Sequence, residues 1–218
     1  MDNRKKMTQV SSAHYLSDSY DEKGRFASYW HQISEIRSLA PESILEIGVG
    51  NALVAGYLKR RGFNLTTADI DEALKPDHIC SVLDLPFADS KFSVVACFEV
   101  LEHLPYKDFA AALAELYRVA AGNVLISLPD ATRAYRIDIQ VPRVGEFKKL
   151  VSIPFVSPPA HEFNGEHYWE IGKAGYPLRR ITAAMAAQGF HLEKTYRVFE
   201  MPYHRFFVLA KRGNTDAS

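Results

Sequence analysis

Between residues 43 and 128 short apolar runs alternate with helix-patterned segments, and no other feature of the chain restricts its fold as tightly. Residues 44–47, 65–68, 79–82, 93–98 and 124–128 read as strands. Residues 52–61, closed by Gly62, and 106–120, closed near Gly122, read as the helices between them. Parallel neighbours need crossover connections, so strands separated by helices predict an α/β chain with a Rossmann-like doubly wound sheet. Downstream, a helix over 178–188 stops at Gly189. The β-like runs 191–199 and 205–211, joined by MPYH, predict an antiparallel strand pair at the C-terminal end of the mostly parallel sheet.

At 218 residues the chain fits one domain, with residues 1–40 as an N-terminal helical cap and 131–176 as an insertion. In the cap, Phe26, Tyr29, Trp30, Ile33, Ile36 and Leu39 recur at three- and four-residue intervals, which predicts an amphipathic helix ending before Pro41, with Tyr29 and Trp30 in the core. Residues 1–10 and the final GNTDAS lack periodicity and read as frayed tails. The insertion breaks the α/β rhythm with prolines, aromatics and histidines, and is expected to form a lid over an acceptor site.

Lys plus Arg (26) equals Asp plus Glu (26), so the overall charge gives no footprint for nucleic acid. With 47% hydrophobic and 24% charged residues and no spanning run, a globular chain is expected. Cys80 and Cys97 fall in or beside strands and read as free thiols of a cytoplasmic protein.

The stretch SILEIGVGNA ends the first strand. In doubly wound sheets ligands bind beyond the carboxyl ends of the strands. Gly48 and Gly50 let backbone N–H groups approach such a ligand, and the helix that follows presents its N-terminus. Asp69 closes the second strand about 20 residues on, where an acid can bind the hydroxyls of an adenosine ribose, with Ile70 beside it. A dinucleotide fingerprint needs a further glycine where Leu53 stands, and Glu46 would repel a pyrophosphate. A cationic adenosine ligand without phosphate, S-adenosylmethionine (SAM), meets these conditions.

Glu46, Gly48, Gly50, Asp69 and Asp84 match the order found in class I SAM-dependent methyltransferases. The chain resembles their methyltransferase type 11 group, through LEIGVGNA and above all VLDLPFADSKFSVVACFEVLEHL. Ala52 stands where a third glycine is common. The resemblance implies that Asp84 accepts from the adenine amino group, that the Leu85 backbone meets the ring, and that Phe98 and Glu99 line the methionine end. A carboxylate can only accept hydrogen bonds, which suits an adenine amino donor.

Methyl transfer from a sulfonium needs alignment more than it needs a triad or a metal, and no metal site is expected. A base is required only where the acceptor must lose a proton, and His103 and His167 are the candidates. The segment HEFNGEHYWE lacks the HExxH spacing of a zinc site and reads as part of the lid, with His161, Glu166 and Tyr168 toward the acceptor. Arg133 is a candidate for an anionic acceptor group. Tyr15, Tyr20, Tyr29 and Trp30 are candidates to close the other side of the cofactor. The function expected is methyl transfer from SAM to a small molecule. Its rivals are a catalytically silent, SAM-binding partner protein and a nicotinamide-dependent oxidoreductase.

Overall fold

The computed structural model describes residues 15, 20–152, 157–163 and 165–211, so the tails expected at 1–10 and at GNTDAS lie outside the described residues. The sheet is built from β1 (Ile44–Ile47), β2 (Leu65–Asp69), β3 (His78–Ile79), β4 (Phe92–Phe98), β5 (Ala120–Pro129), β8 (Phe190–Arg197) and β9 (His204–Lys211). Its order is β3-β2-β1-β4-β5-β9-β8, with β1 through β5 parallel and β9 antiparallel to both of its neighbours. The strand order reverses at β1, which puts the crevice outside the carboxyl ends of β1 and β4.

Alternation along each strand divides the core in two. Val95 and Cys97 of β4, Ile126 of β5 and Phe207 of β9 point to one face, beneath α3 (Phe109–Val119) and α4 (Leu178–Ala187). Val94, Ala96, Leu125 and Phe206 point to the other, which α1 (Lys23–Ser38) and α2 (Leu53–Arg60) cover. A sheet clothed on both faces explains the continuous apolar runs of β1, β4 and β5.

The structure corrects the expected helix face of α1. Tyr29 is buried, but Trp30 is 64% exposed and its place inside is taken by Ser28 and Gln32. Consecutive helical residues stand about 100° apart, so a face set by Tyr29, Gln32 and Ile36 turns Trp30 outward. The third strand is also shorter than the expected 79–82. Asp84 N–H donates to the Ser81 carbonyl at 3.0 Å and Leu83 N–H to Ser81 Oγ at 3.2 Å, a reverse turn that ends the strand early. The insertion contains a hairpin absent from the sequence reading, β6 (Ala134–Val141) and β7 (Gly145–Ser152), paired with each other and with no other strand. Cys80 and Cys97 are both free thiols. No helix among the described residues is long and apolar enough to cross a membrane.

Candidate active site

A cleft opens where β1, β2 and β4 end. Glu46, Gly48, Gly50 and Asn51 line it from the first turn, Asp69, Ile70 and Asp71 from the second, and Phe98, Glu99, Val100 and His103 from the fourth. Gly48 has no alternative at its position: its φ is +84°, and a Cβ there would stand 2.3 Å from Val100 Cγ2. Gly50, at φ +53°, has room for a side chain, so its requirement is conformational. The turn is pinned to the second strand by Asp69, whose Oδ2 accepts from Val49 N–H at 2.7 Å and whose Oδ1 accepts from Asp71 N–H at 2.9 Å. Each carboxylate oxygen can accept twice, so Asp69 keeps capacity for hydroxyl donors in the cleft.

Glu46 is 4% exposed, and its Oε2 has no hydrogen-bond partner among the described residues. Burial pushes its carboxyl up to about 8, and the distant Lys59 only partly offsets this. Glu99 follows β4 in the left-handed region, φ +51°, with its N–H donating to the Ser127 carbonyl at 3.1 Å and its Oε1 unpartnered among the described residues. Backbone strain of this kind collects at ligand sites. Tyr15, Tyr20, Arg25 and Tyr29 close the cleft from the N-terminal side. The Arg25 guanidinium lies over the Tyr20 ring, 3.9 Å from its centroid.

Glu46, Gly48, Gly50, Asp69, Ile70, Phe98 and Glu99 thus meet in one cleft, as does His103. Asp84 and Leu85 do not line it. The turn at Ser81 rotates Asp84 to the surface, and Leu85 is buried, with its N–H donating to Glu115 Oε2 and its carbonyl accepting from Arg118 Nη2. Ser81 and Val82, which sequence reading passed over, form that wall with Cys80. The signal available was position: they directly follow the strand.

The acceptor candidates are also redistributed. Arg133 is exposed, and neither it nor His161, Glu166 and Tyr168 lines the cleft. Within the insertion, Glu166, Tyr168 and Trp169 pack against the turn that carries His103. His103 Nδ1 stands 2.9 Å from the Glu166 carbonyl; a carbonyl only accepts, so Nδ1 carries the proton and Nε2 is left bare. Burial lowers the pKa of this imidazole. Tyr168 N–H donates to the Glu102 carbonyl at 2.9 Å, and the fully buried Trp169 donates its indole N–H to the Leu104 carbonyl at 3.1 Å. His161 Nε2 bonds the His167 carbonyl at 2.8 Å, and Tyr168 stacks on Phe163 with 4.6 Å between centroids.

His167 meets the His103 ring edge-on at 5.1 Å, while its Nδ1 stands 3.1 Å from Glu170 Oε1, which also accepts from Tyr203 Oη at 2.7 Å. Glu102 lies beneath this pair, fully buried and with both carboxyl oxygens unpartnered among the described residues. Burial and the nearby Glu99 hold its carboxyl well above the usual range. One ligand atom each from Glu102, His103 and His167 falls within 4.8 Å of the others, a donor set with the composition of a divalent-cation site that HExxH spacing does not announce.

A seven-stranded sheet in this order, with one reversed strand and a ligand cleft at the ends of β1, β2 and β4, is the class I methyltransferase fold. Residues 45–127 match the family model described as a methyltransferase domain. Among curated proteins, the ubiquinone biosynthesis O-methyltransferase of Rickettsia bellii is 26% identical over 129 residues, 53% of this chain and 51% of that protein. That of Rickettsia felis is 27% identical over 93 residues, 37% of this chain and 36% of its own. The chain spans about half the length of these first curated relatives, 51% of the Rickettsia bellii protein. Among solved structures, magnesium protoporphyrin IX methyltransferase from Synechocystis with bound SAM superposes with a TM-score of 0.63 at 13% identity, covering 97% of this chain and 98% of that one. Burkholderia thailandensis 1,6-didemethyltoxoflavin-N1-methyltransferase gives 0.62 at 14% identity, over 96% and 87%. At these identities the two structures establish the fold.

Proposed function

We propose that the protein is a SAM-dependent methyltransferase that acts on a small hydroxylated molecule in the cytoplasm, as one domain in which residues 1–40 cap the cofactor and 131–176 form the acceptor lid. The observation that carries the reading is Glu46: its buried Oε2 has no hydrogen-bond partner among the described residues, and it stands at a turn whose Gly48 tolerates no Cβ against Val100. A pyrophosphate would keep that carboxyl from ionising and find no countercharge there, whereas a cationic adenosine ligand would favour its ionised form and pair with it.

In this reading Asp69 accepts the ribose hydroxyls, and Ile70, Ser81 and Val82 enclose the adenine. The amides of Gly48 to Gly50 with Glu46, Phe98 and Glu99 hold the methionine end. The bound cofactor supplies a methyl group already activated on sulfur. What the chain adds is alignment, an effect that reaches about 7–11 kcal/mol in favourable cases. The curated relatives are named O-methyltransferases, which favours a hydroxyl acceptor for this chain. A hydroxyl must lose a proton, and His103, neutral and with a bare Nε2 at the cleft wall, is suited to receive it.

Titration calorimetry with SAM, S-adenosylhomocysteine and NAD tests the reading: the two adenosyl sulfur compounds bind and NAD does not, and the reverse result would discard it. Asp69→Ala weakens SAM by about tenfold or more, as expected for a lost charged acceptor. In a screen of small phenolic and enolic acceptors with labelled methyl groups, a catalytically silent partner protein would bind SAM and transfer nothing. For an active acceptor, His103→Gln lowers kcat by about 10²–10⁴-fold with SAM affinity retained.

A further inference from the structure

The β6–β7 hairpin wears its amphipathic pattern inside out. Directly paired residues of an antiparallel ribbon share a face. The register therefore sets Tyr135 with Val151, Ile137 with Lys149 and Ile139 with Phe147 on one face, and Arg136 with Leu150, Asp138 with Lys148 and Gln140 with Glu146 on the other. The polar face is turned to the body of the protein. Arg136 Nη1 donates to the Glu200 carbonyl at 3.2 Å, and Lys148 Nζ lies 3.7 Å from the Glu200 carboxylate and 5.6 Å from the centroid of Phe199. The apolar face looks outward: Tyr135 is 56%, Ile139 51% and Phe147 54% exposed, and Val144 at the tip is 82% exposed.

A two-stranded ribbon gains nothing in water from this arrangement, and a continuous exposed apolar face of this kind marks an interaction surface. Its charges say which kind. Lys149 is the one charged side chain on the outer face, and Arg143 stands exposed at the tip, whereas both acids of the ribbon, Asp138 and Glu146, belong to the inner face. Aromatic and aliphatic side chains set among cations without an acid are the composition of an interfacial membrane contact, where apolar groups enter the acyl boundary and Lys and Arg meet anionic headgroups. A second copy pressed face to face would instead bury two Lys149 ammonium groups with no acid to pair them.

We propose that the outer face of the β6–β7 hairpin docks the protein on an anionic lipid bilayer, bringing the cleft to the membrane surface. Co-sedimentation of the full chain with vesicles tests this. The protein pellets with phosphatidylcholine vesicles containing roughly a third phosphatidylserine, stays in the supernatant with phosphatidylcholine alone, and is released by salt. Lys149→Gln weakens binding about fivefold, the worth of one surface cation. Ile139→Asp with Phe147→Asp abolishes binding while SAM affinity is kept, and Asp138→Asn on the inner face changes nothing. Absence of pelleting on anionic vesicles would overturn the proposal. So would light scattering that finds a dimer dissociated by the Ile139→Asp, Phe147→Asp pair, which would give the face to a second copy.

Discussion

At the scale of single residues, the cleft stores two costs that ligand binding can relieve. Burial pushes the Glu46 carboxyl up to about 8, with its Oε2 unpartnered among the described residues, so the free protein holds it protonated near neutrality. A cationic ligand favours the ionised form, so binding expels the proton. SAM affinity is therefore expected to rise with pH until about 8 and then level, and calorimetry near neutrality should find up to one proton released in buffers of different ionisation enthalpy. Glu46→Gln removes both effects. Ala52 holds the other cost, since it sits at φ +59° where the resemblance would have a glycine. A left-handed non-glycine residue costs about 1–2 kcal/mol, against roughly 0.5–1 kcal/mol for the extra freedom of glycine in the unfolded chain, so Ala52→Gly should raise thermal stability slightly. Gly48→Ala goes the other way: with a positive φ and a 2.3 Å clash against Val100, it should cost more than about 2 kcal/mol in a urea melt and lose SAM.

Among the elements, those whose pattern depends on local physics were legible from the sequence, and those defined by distant packing were not. The ends of β1, β2 and β4 were readable because a central parallel strand must be apolar throughout, and the glycine turn because positive φ demands glycine. The run 79–82 reads as strand, and the turn at Ser81 cuts it short. Asp84 carries the more conspicuous carboxylate, and only the early end of β3 shows that the cleft wall is Ser81 and Val82. The β6–β7 ribbon was invisible because its apolar residues face water, so alternation gave no core to point to. The HYWE segment reads as part of a lid, and Trp169 fixes where it is anchored. Its ring is fully buried against Tyr106 and Phe109, and its indole reaches the Leu104 carbonyl, clamping this segment beside His103. Trp169→Phe keeps most of the packing and orphans that carbonyl, a loss of about 1–3 kcal/mol in a denaturant melt. It should also free His103 from the Glu166 carbonyl, which would appear as a changed pH profile of kcat.

For the whole molecule, the buried ionisable groups set a stability curve whose sign can be worked out. His31, His103 and His204 all have lowered pKa values from burial, so the folded state resists their protonation. Their contribution is present above the unfolded value of about 6.5 and is lost as pH falls below it. Glu46 and Glu102 have raised values, which works in the opposite direction: folding binds a proton that the unfolded carboxyl gives up above about 4.3. Between the two unfolded values the trends oppose, but from about 6.5 upward the histidines no longer contribute and the carboxyls alone set the slope. The ligand-free protein should therefore become less stable from about pH 6.5 toward pH 8, with up to about 2 kcal/mol from Glu46 alone. Scanning calorimetry would record this as a falling Tm. Glu102→Gln, which removes a carboxyl whose oxygens have no hydrogen-bond partner among the described residues, should raise Tm and flatten the fall. Saturating SAM should flatten it further, because the ligand's cation replaces the proton on Glu46; a Tm that stayed level from pH 6.5 to 8 in the ligand-free protein would mean that both acids are already ionised in the folded state.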